Sequence, residues 1–378
     1  MSKKLKIFIE ATPLINKHLS GVGQVTLETV RALDNEKYKS NYDIKVFVPF
    51  DEKSKMEKYT FKNIKIVSIP LPHKVFSLFS RMRFAIPLDL LLGKGVYIFP
   101  NFRNWNLMMS KSVTYIHDVC FAIYPQYVQT RNLNFLHKYI NLWTSRTDKI
   151  VTVSKTSKQE ISKYLSIKPN FIDVIANTID RNFYKPQDSK KVAQIKTKYK
   201  LGNYFLFVGN IEPRKNLITL IEAFEKARLK DTTLLIVGGD GWLNEDIYAR
   251  IELAKTNGID IRKNKSFVPD EELPALFTGA NALVLPSWHE GFGLTAIQAV
   301  ACGTKVLSAD IPVLREIAAG YEKKIDFFPP GDSEALKKLL TKYNKTQEIS
   351  TESAVIQRTW QDVSDELLAL ATKVGRNY

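Results

Sequence analysis

The sequence predicts an α/β protein of two doubly wound domains, each built on a parallel sheet. Its 378 residues are enough for two domains of ordinary size. Short, mostly β-branched apolar runs alternate with helical stretches, a pattern typical of parallel strands buried on both faces. The alternation stops in a polar, lysine-rich stretch at residues 185–200 and then restarts. We therefore predict a first domain at residues 1–185 and a second at residues 186–355.

The apolar runs place the individual elements. In the first domain the predicted strands are residues 6–10, 44–48, 64–68, 96–99, 113–117, 150–153 and 171–175, with helices at 24–33 and 133–147. In the second domain they are residues 204–208, 233–237, 261–267, 282–285 and 305–308, with helices at 217–228 and 271–278. A last helix, about residues 353–374, makes residues 356–378 a C-terminal segment that we expect to pack back across the domains.

Composition excludes several classes of protein. With 44% apolar and 25% charged residues, the chain is typical of folded globular proteins. No run of about 18 uncharged apolar residues occurs, so no membrane-spanning helix is expected. The N-terminal stretch lacks the features of a signal peptide, and two cysteines are too few for a disulfide framework. We therefore expect a cytoplasmic protein, and the histidines and cysteines show no zinc-ligand spacing.

The net charge of +16 is unevenly distributed. Residues 1–200 contain 34 Lys and Arg against 15 Asp and Glu, whereas residues 201–378 contain 21 against 24. A basic half attracts anionic surfaces, and two interpretations stay open: an anionic membrane surface or a solvated lysine-rich surface. Nucleic acid is disfavoured because no nucleic-acid-binding motif is recognisable and the lysines are not interleaved with stacking aromatics.

One basic stretch bears on the membrane alternative. In residues 73–84, Val75, Phe76, Phe79 and Met82 fall near one helical face, and the cations fall elsewhere. A helix of this kind can lie in a lipid interface. The same pattern also describes a helix packed on a sheet.

The loop between the first strand and the first helix contains two glycines, Gly21 and Gly23. Glycine lets backbone amides approach a ligand closely, and a helix N-terminus favours an anion. By itself the pair is better explained as a plain glycine turn, because paired glycines are common in such loops and the full dinucleotide-binding pattern is not present.

Two adjacent cations, Arg214 and Lys215, follow the predicted strand 204–208 and precede a helix. Arginine offers a fork for bidentate phosphate contact, lysine offers a point charge, and the helix start adds amides. An exposed charge pair is the alternative. Ligands of α/β sheets bind at the carboxyl ends of strands, where this pair lies, so we favour an anion-binding role.

Residues 286–295, Pro-Ser-Trp-His-Glu-Gly-Phe-Gly-Leu-Thr, also precede a helix. Gly291 and Gly293 expose amides at the helix start, which again favours an anion. Glu290 would repel a phosphate there unless it bonds neutral hydroxyls of the same ligand, and a sugar attached to a diphosphate satisfies both conditions. Gln298 lies about one turn into the helix and is placed to reach another part of that ligand. The alternative is a helix-capping carboxylate among glycine turns.

These motifs resemble those of the retaining glycosyltransferases of family 4, which have the GT-B fold of two Rossmann-like domains facing a central cleft. The resemblance rests on Gly-Asn-Ile-Glu-Pro-Arg-Lys-Asn-Leu at 209–217, on residues 286–294, and on Ala-Cys-Gly-Thr-Lys-Val at 301–306. In the first half, Thr-Tyr-Ile-His-Asp at 114–118 agrees as well. The chain looks most similar to bacterial enzymes that build polysaccharides from mannosyl, rhamnosyl or glucosyl donors.

The resemblance implies an enzyme that moves a hexose from a nucleoside diphosphate sugar to a hydroxyl of a glycan or lipid-linked acceptor, retaining the anomeric configuration. The donor would be a sugar nucleotide such as GDP-mannose, UDP-glucose or dTDP-rhamnose, with no metal or other cofactor. The first domain would bind the acceptor and the second the donor. Such a protein would be cytoplasmic, or peripheral on the inner face of the cell membrane.

The resemblance also implies residue roles. Arg214 and Lys215 would hold the diphosphate and stabilise its growing charge. Glu290 would bind donor-sugar hydroxyls, and His117 would reach that sugar from the first domain. Donor-binding positions are implied for Gly21, Gly23, Phe267, Val268, Gly291, Phe292, Gly293, Leu294 and Gln298.

Gln298 departs from the family pattern, which has a second glutamate that binds ribose hydroxyls. An amide can still bond a hydroxyl but loses the charge-assisted bond. This change leaves open a non-catalytic partner that binds a sugar nucleotide or glycan. A sugar-nucleotide epimerase on the same fold is a further alternative, disfavoured because no additional acid/base carboxylates lie near the motifs.

Overall fold

The apolar runs of the sequence form two parallel sheets in the computed structural model, which describes residues 4–264, 268–344 and 354–376. The strands are β1 Leu5–Glu10, β2 Tyr42–Pro49, β3 Lys65–Ile69, β4 Val96–Phe99, β5 Lys111–Tyr115, β6 Lys149–Thr152, β7 Ile172–Val174, β8 Asn203–Val208, β9 Thr232–Val237, β10 Ile261–Lys263, β11 Ala282–Leu285, β12 Val306–Ala309 and β13 Ile325–Phe328. The helices are α1 Gly21–Leu33, α2 His73–Phe79, α3 Leu88–Leu92, α4 Cys120–Ile123, α5 Thr130–Ser145, α6 Lys155–Tyr164, α7 Ser189–Lys198, α8 Leu217–Ala227, α9 Glu245–Thr256, α10 Leu273–Thr278, α11 Leu294–Ala301, α12 Pro312–Ala318, α13 Ser333–Lys342 and α14 Trp360–Arg376. The predicted α/β class with two parallel sheets is confirmed.

The first sheet has the strand order β3-β2-β1-β4-β5-β6-β7, and its neighbouring strands pair in parallel. Ile7 of β1 lies opposite Ile44 of β2 on one side and Val96 of β4 on the other. The chain therefore moves outward from β1 in one direction and returns at β4 to continue in the other. At such a switch point the loops after the two central strands diverge, which leaves room for a ligand at the carboxyl edge.

The second sheet repeats this plan with the order β10-β9-β8-β11-β12-β13, again with parallel neighbours. Its switch point lies between β8 and β11. The loop after β8 contains Arg214 and Lys215, and the loop after β11 contains Glu290. The topology thus places these three residues at the carboxyl ends of neighbouring strands.

The chain divides into two units that do not follow one another simply along the sequence. One contains the chain up to Val119, Arg131–Asn177 and α14, and the other contains Cys120–Thr130 and Thr178–Thr359. The division thus falls at Asn177, upstream of the boundary predicted at residue 185. Helix α4 and the residues that lead from it to the start of α5 thus belong with the second sheet.

Helix α14 belongs to the first unit because its apolar face completes that unit's core. Val363, Leu367 and Ala371 are buried in one cluster with Ile7 of β1 and Val30 of α1. The helix begins at Trp360, later than the predicted start near residue 353, which lies outside the described residues.

Helix α2 is packed into the core of the first unit. Phe76 is buried, and its ring centroid lies 4.6 Å from that of Trp105. Phe79 meets the same indole edge-on at 5.6 Å. The alternative in which these aromatics face lipid is therefore wrong for Phe76 and Phe79, because the buried indole of Trp105 occupies that face. Met82 lies beyond the helix and is exposed.

Strand β13 was not predicted, because its four residues Ile-Asp-Phe-Phe include a charge. The Asp326 carboxylate of this strand accepts a hydrogen bond from the Lys305 ammonium at 2.6 Å. Across residues 4–264, 268–344 and 354–376, no helix combines the length and the apolar character needed to cross a bilayer.

Candidate active site

A tight turn after β8 presents the two predicted cations. Pro213–Lys215 forms one turn of 3-10 helix, and it ends at Asn216, whose φ of 53° lies in the left-handed region. Asparagine tolerates this conformation better than most residues. The Asn216 side chain donates to the carbonyl of Pro286 at 3.0 Å and accepts a bond from Thr219 at 2.8 Å. The basic turn is therefore fixed to the loop that follows β11.

The structure brings Lys215, Arg214 and Glu290 into direct contact. The Lys215 ammonium lies 2.6 Å from Oε1 of Glu290, and Nη1 of Arg214 lies 3.3 Å from Oε2. Ser287 donates its hydroxyl to Oε1 of Glu290 at 2.7 Å. The Glu290 side chain is only 9% exposed and that of Lys215 16% exposed. Two cations and a carboxylate thus share one largely buried site.

Glu212 orients the arginine. Its buried carboxylate accepts bonds from Nε and Nη2 of Arg214 at 3.1 and 2.7 Å. The remaining terminal nitrogen donates to the carbonyl of His289 at 2.9 Å. Because three sides of the guanidinium are engaged, its plane is fixed. This role of Glu212 was not predicted; the available signal was a carboxylate two residues before Arg214 in the same turn.

The charges of this cluster control the ionisation of Glu290. Burial alone would raise the pKa of its carboxyl group. The positive charges of Lys215 and Arg214, with the bonds from Lys215 and Ser287, outweigh burial and lower that pKa to about 2. Glu290 is therefore an anion throughout the neutral range, and it accepts hydrogen bonds only.

This shift predicts a pH dependence of stability. A carboxyl pKa that is lower in the folded than in the unfolded chain stabilises the fold above the unfolded value, here 4.5, and this contribution is lost as the pH falls toward 2. At neutral pH we expect Glu290→Gln to be less stable than the parent, with a difference that shrinks between those two pH values. Urea unfolding of both proteins across this range measures it. A difference that stays constant with pH would contradict the ionic role.

The loop after β11 leads into α11 through a strained glycine. Gly293 has a φ of 90°, and a Cβ there would lie 2.7 Å from Leu314, so only glycine fits. No side chain caps the start of α11, and the stretch from Gly291 to Leu294 that leads into this helix directly follows Glu290 of the cation cluster. Gln298 lies half-buried one turn into the helix.

Two of the predicted donor-binding positions, Phe267 and Val268, match the family's stretch whose main chain reads the base, and Val268 is buried in the second unit. Phe267 lies outside the described residues. Their contact with a base stays a prediction, as do the roles of the glycines and Gln298.

His117 follows β5 in the first unit. Its Nε2 lies 2.9 Å from the carbonyl oxygen of Pro100, and its ring stacks on Tyr115 at 5.6 Å. Burial lowers the pKa of His117 despite that bond and the nearby Asp118, so the neutral imidazole is favoured. A carbonyl only accepts, so Nε2 carries the proton and Nδ1 is left as an acceptor. Its contact with a donor sugar stays a prediction.

A buried carboxylate at the carboxyl edge of the first sheet was not predicted. Glu10 ends β1, is buried, and accepts a bond from the Thr12 amide at 2.7 Å. Burial raises its pKa, and the bond from Thr12 and the charge of Arg103 oppose this only in part. The available signal was a charged residue directly after the apolar run Ile-Phe-Ile.

The two glycines at the start of α1 differ in their surroundings. The Gly23 amide donates to the Ser20 hydroxyl at 3.3 Å, and a Cβ on Gly23 would lie 2.9 Å from the Pro13 carbonyl. A Cβ on Gly21 would meet no atom within 4 Å. Packing within the protein therefore requires glycine at residue 23 but not at residue 21.

This contrast predicts different effects of alanine. Gly23→Ala is expected to lower the melting temperature, because Pro13 must shift. Gly21→Ala is expected to keep it, and to weaken binding of a nucleoside diphosphate sugar if the ligand approaches the backbone there. Thermal unfolding with and without the sugar nucleotide measures both effects. Equal donor affinity of Gly21→Ala and the parent would remove Gly21 from the donor site.

Two parallel-sheet α/β domains, one with a cation cluster and an uncapped helix start at its switch point, define the class of GT-B glycosyltransferases. Comparison with family models agrees. Residues 19–183 match the model "Glycosyltransferase Family 4", and residues 188–358 match "Glycosyl transferases group 1". Between them the two matches extend over most of the chain. The protein belongs to the family 4 glycosyltransferases.

Curated relatives include bacterial mannosyltransferases. The O-antigen chain mannosyltransferase B of Escherichia coli is 27% identical over 246 residues, which cover 64% of this chain and 63% of the relative. The O-antigen chain mannosyltransferase RfbU of Salmonella typhimurium is 30% identical over 215 residues, or 56% of this chain and 55% of the relative. Each match thus spans less than two thirds of the relative's own length.

Solved structures share the fold. HepE of Anabaena, crystallised in complex with UDP and glucose, superposes with a TM-score of 0.63 at 16% identity. The superposition covers 98% of this chain and 95% of that one. The predicted GT-B fold is confirmed.

Proposed function

We propose that this protein transfers a hexosyl group from a nucleoside diphosphate sugar to a hydroxyl of a glycan or lipid-linked acceptor, with retention of configuration, in polysaccharide synthesis. The names of the two O-antigen relatives favour a mannosyl group and hence GDP-mannose as donor. HepE was crystallised with UDP, which supports uridine donors such as UDP-glucose as the alternative.

The observation that carries the proposal is the contact of Lys215 and Arg214 with Glu290 at the switch point of the second sheet. A diphosphate leaving group gains negative charge as the glycosidic bond breaks. Cations and amides that are already in position stabilise that charge without reorganisation. The two cations meet this requirement, and the start of α11, which follows Glu290 by four residues, would add its amides.

The charges of the cluster balance, because the carboxylates of Glu212 and Glu290 face the two cations. An ammonium has three donors, and one donor of Lys215 is engaged by Glu290. A diphosphate would take the remaining donors and compete for the engaged one. The Glu290 carboxylate would keep its hydrogen bond from Ser287 at 2.7 Å. Its acceptor sites that no longer bond Lys215 would then accept hydrogen bonds from hydroxyls of the attached sugar.

The reaction needs little from the protein beyond this arrangement. The bond from the anomeric carbon to the phosphate oxygen breaks, and the acceptor oxygen bonds that carbon on the same face of the ring. The acceptor proton passes to a phosphate oxygen of the leaving group. Because Lys215 and Arg214 supply the positive charge, we propose that the reaction proceeds without a metal ion.

The first unit would contribute the acceptor site and the neutral imidazole of His117, whose Nδ1 is an acceptor for a sugar hydroxyl. A lipid-linked acceptor would place the protein on the inner face of the cell membrane as a peripheral protein.

An assay with three donors tests the proposal. The protein is incubated with GDP-mannose, UDP-glucose or dTDP-rhamnose and a glycan acceptor, with and without EDTA. We expect release of one nucleoside diphosphate, undiminished by EDTA, and a product with the donor's anomeric configuration by NMR. Binding without turnover would support the non-catalytic partner that Gln298 leaves open, and recovery of an epimerised donor would support the epimerase.

A further inference from the structure

Exposed apolar side chains of the first unit are concentrated in one region. Among the residues that the structure describes, fourteen large apolar side chains are exposed, and seven of them fall between residues 78 and 109. They are Leu78, Met82, Phe84, Ile86, Leu90, Met108 and Met109. Phe84 is the most exposed, at 82%. We call these seven side chains the apolar patch.

Backbone contacts join the two segments that carry the patch. The indole of Trp105 donates to the carbonyl of Ile86 at 2.8 Å, and the Leu88 amide donates to the Asn106 carbonyl at 2.9 Å. The Asp89 carboxylate accepts from the amides of Met108 and Met109 at 3.0 and 2.6 Å. Residues 86–90 and 105–109 therefore run side by side.

The loop after α2 is also fixed, from the side of α5. The indole of Trp143 donates to the carbonyl of Ser80 at 2.8 Å, and the Arg146 guanidinium donates to the carbonyls of Ser80 and Met82. Exposed apolar groups on a fixed backbone remain exposed, and this costs free energy unless another surface covers them.

The stretch of chain that carries the patch is basic. Residues 58–117 contain nine Lys and Arg and a single carboxylate, Asp89. Asp89 is 1% exposed and is engaged by backbone amides, so it projects no charge at the surface. Arg83 lies over the ring of Phe84 at 5.9 Å. Carboxylates from other elements that contact this part of the chain are Asp51 and Glu52 beside His73, and Asp148 paired with Lys111.

We propose that the apolar patch docks the first unit on an anionic lipid bilayer. Aromatic and aliphatic side chains from fixed loops would enter the headgroup boundary while neighbouring guanidinium groups bind lipid phosphates. The biological purpose of this docking rests on the proposed lipid-linked acceptor. Its chemistry rests on the apolar patch and the neighbouring cations alone. A second copy of the chain is a poorer occupant, because pairing the patch with itself brings like charges together.

Vesicle co-sedimentation tests the docking surface with a triple variant, Phe84→Ser with Ile86→Ser and Met108→Ser. These side chains are exposed, so the fold is expected to persist. A matched control removes three exposed apolar side chains elsewhere: Tyr164→Ser, Phe171→Ser and Leu253→Ser. Vesicles contain either phosphatidylcholine alone or phosphatidylcholine with phosphatidylglycerol.

We expect the parent and the control to bind the phosphatidylglycerol vesicles and to leave the neutral ones largely unbound. At about 0.8 kcal/mol per buried CH₂, loss of three apolar side chains lowers the partition coefficient of the triple variant at least about tenfold. Equal binding of all three proteins, or no binding by the parent, overturns the proposal. A dimer of the parent in sedimentation equilibrium that the triple variant loses also overturns it, in favour of a second copy. Binding of a nucleoside diphosphate by the same preparations separates these outcomes from failure of the donor site.

Discussion

Replacing Lys215 with alanine is expected to lower kcat/KM by about two to three orders of magnitude, the range found when a single preorganised stabilising group is removed. The ammonium contacts Glu290 at 2.6 Å and is placed to stabilise charge on the departing diphosphate. The loss should fall mainly on kcat, because the charge on the leaving group is greatest in the transition state. Steady-state kinetics with a nucleoside diphosphate sugar measures the effect.

The control for this variant is Lys305→Ala. Lys305 is also largely buried, and its ammonium lies 2.6 Å from the Asp326 carboxylate. Burial raises the pKa of Asp326, but hydrogen bonds from Lys305 and its neighbours outweigh this and lower that pKa to about 2. It precedes β12 and therefore lies at the amino edge of the second sheet, away from the loops after β8 and β11. The control should lose stability but keep kcat/KM. Similar losses of activity in Lys215→Ala and Lys305→Ala would show that the effect is structural.

Glu290→Gln is expected to reduce kcat/KM by about two orders of magnitude while leaving a folded protein. The amide keeps the shape of the side chain but removes the anion that Lys215 and Arg214 face. It also replaces one acceptor oxygen by a donor, which weakens charge-assisted bonds to sugar hydroxyls. The same variant should discriminate less between epimeric donors, and competition between two sugar nucleotides of the same base measures that.

A matched carboxylate variant separates this role from stability. Glu225 of α8 is 16% exposed and bonds Arg250 and Asn257, so Glu225→Gln removes a similarly engaged anion outside the site. We expect it to keep donor discrimination. If Glu290→Gln retained the turnover and the donor preference of the parent, its proposed contact with the sugar would be wrong.

Much of the fold was predictable because parallel strands buried on both faces leave an unambiguous apolar signal. All four residues of β4 are buried, for example, and its predicted bounds are those observed. Strand β13 lacked that signal, because Asp326 interrupts it and only two of its four residues are buried. The assignment of residues 120–130 to the second unit was not predictable, since it depends on contacts such as that of the Trp242 indole with the Tyr127 carbonyl.

The candidate site was predictable where chemistry and topology coincide. Arg214, Lys215 and Glu290 lie in loops after strands that the sheet makes neighbours, so their contact follows from the strand order. Glu212 and Ser287 were missed, because a sequence does not show which polar side chains turn inward to orient a neighbour. The apolar patch was predicted only in part. Leu78, Met82 and Phe84 fall in the stretch 73–84 that we considered for a lipid interface, whereas the remaining patch residues come from two segments that no sequence period joins.

The most direct test of the account is a crystal structure of the protein with a bound nucleoside diphosphate sugar, chosen among GDP-mannose, UDP-glucose and dTDP-rhamnose by thermal shift. We expect diphosphate oxygens within about 3.2 Å of the Lys215 ammonium and the Arg214 guanidinium, the reach of a hydrogen bond. We also expect a sugar hydroxyl to be hydrogen-bonded to Glu290. A diphosphate bound away from all three side chains, with the Lys215–Glu290 pair unchanged, would contradict it.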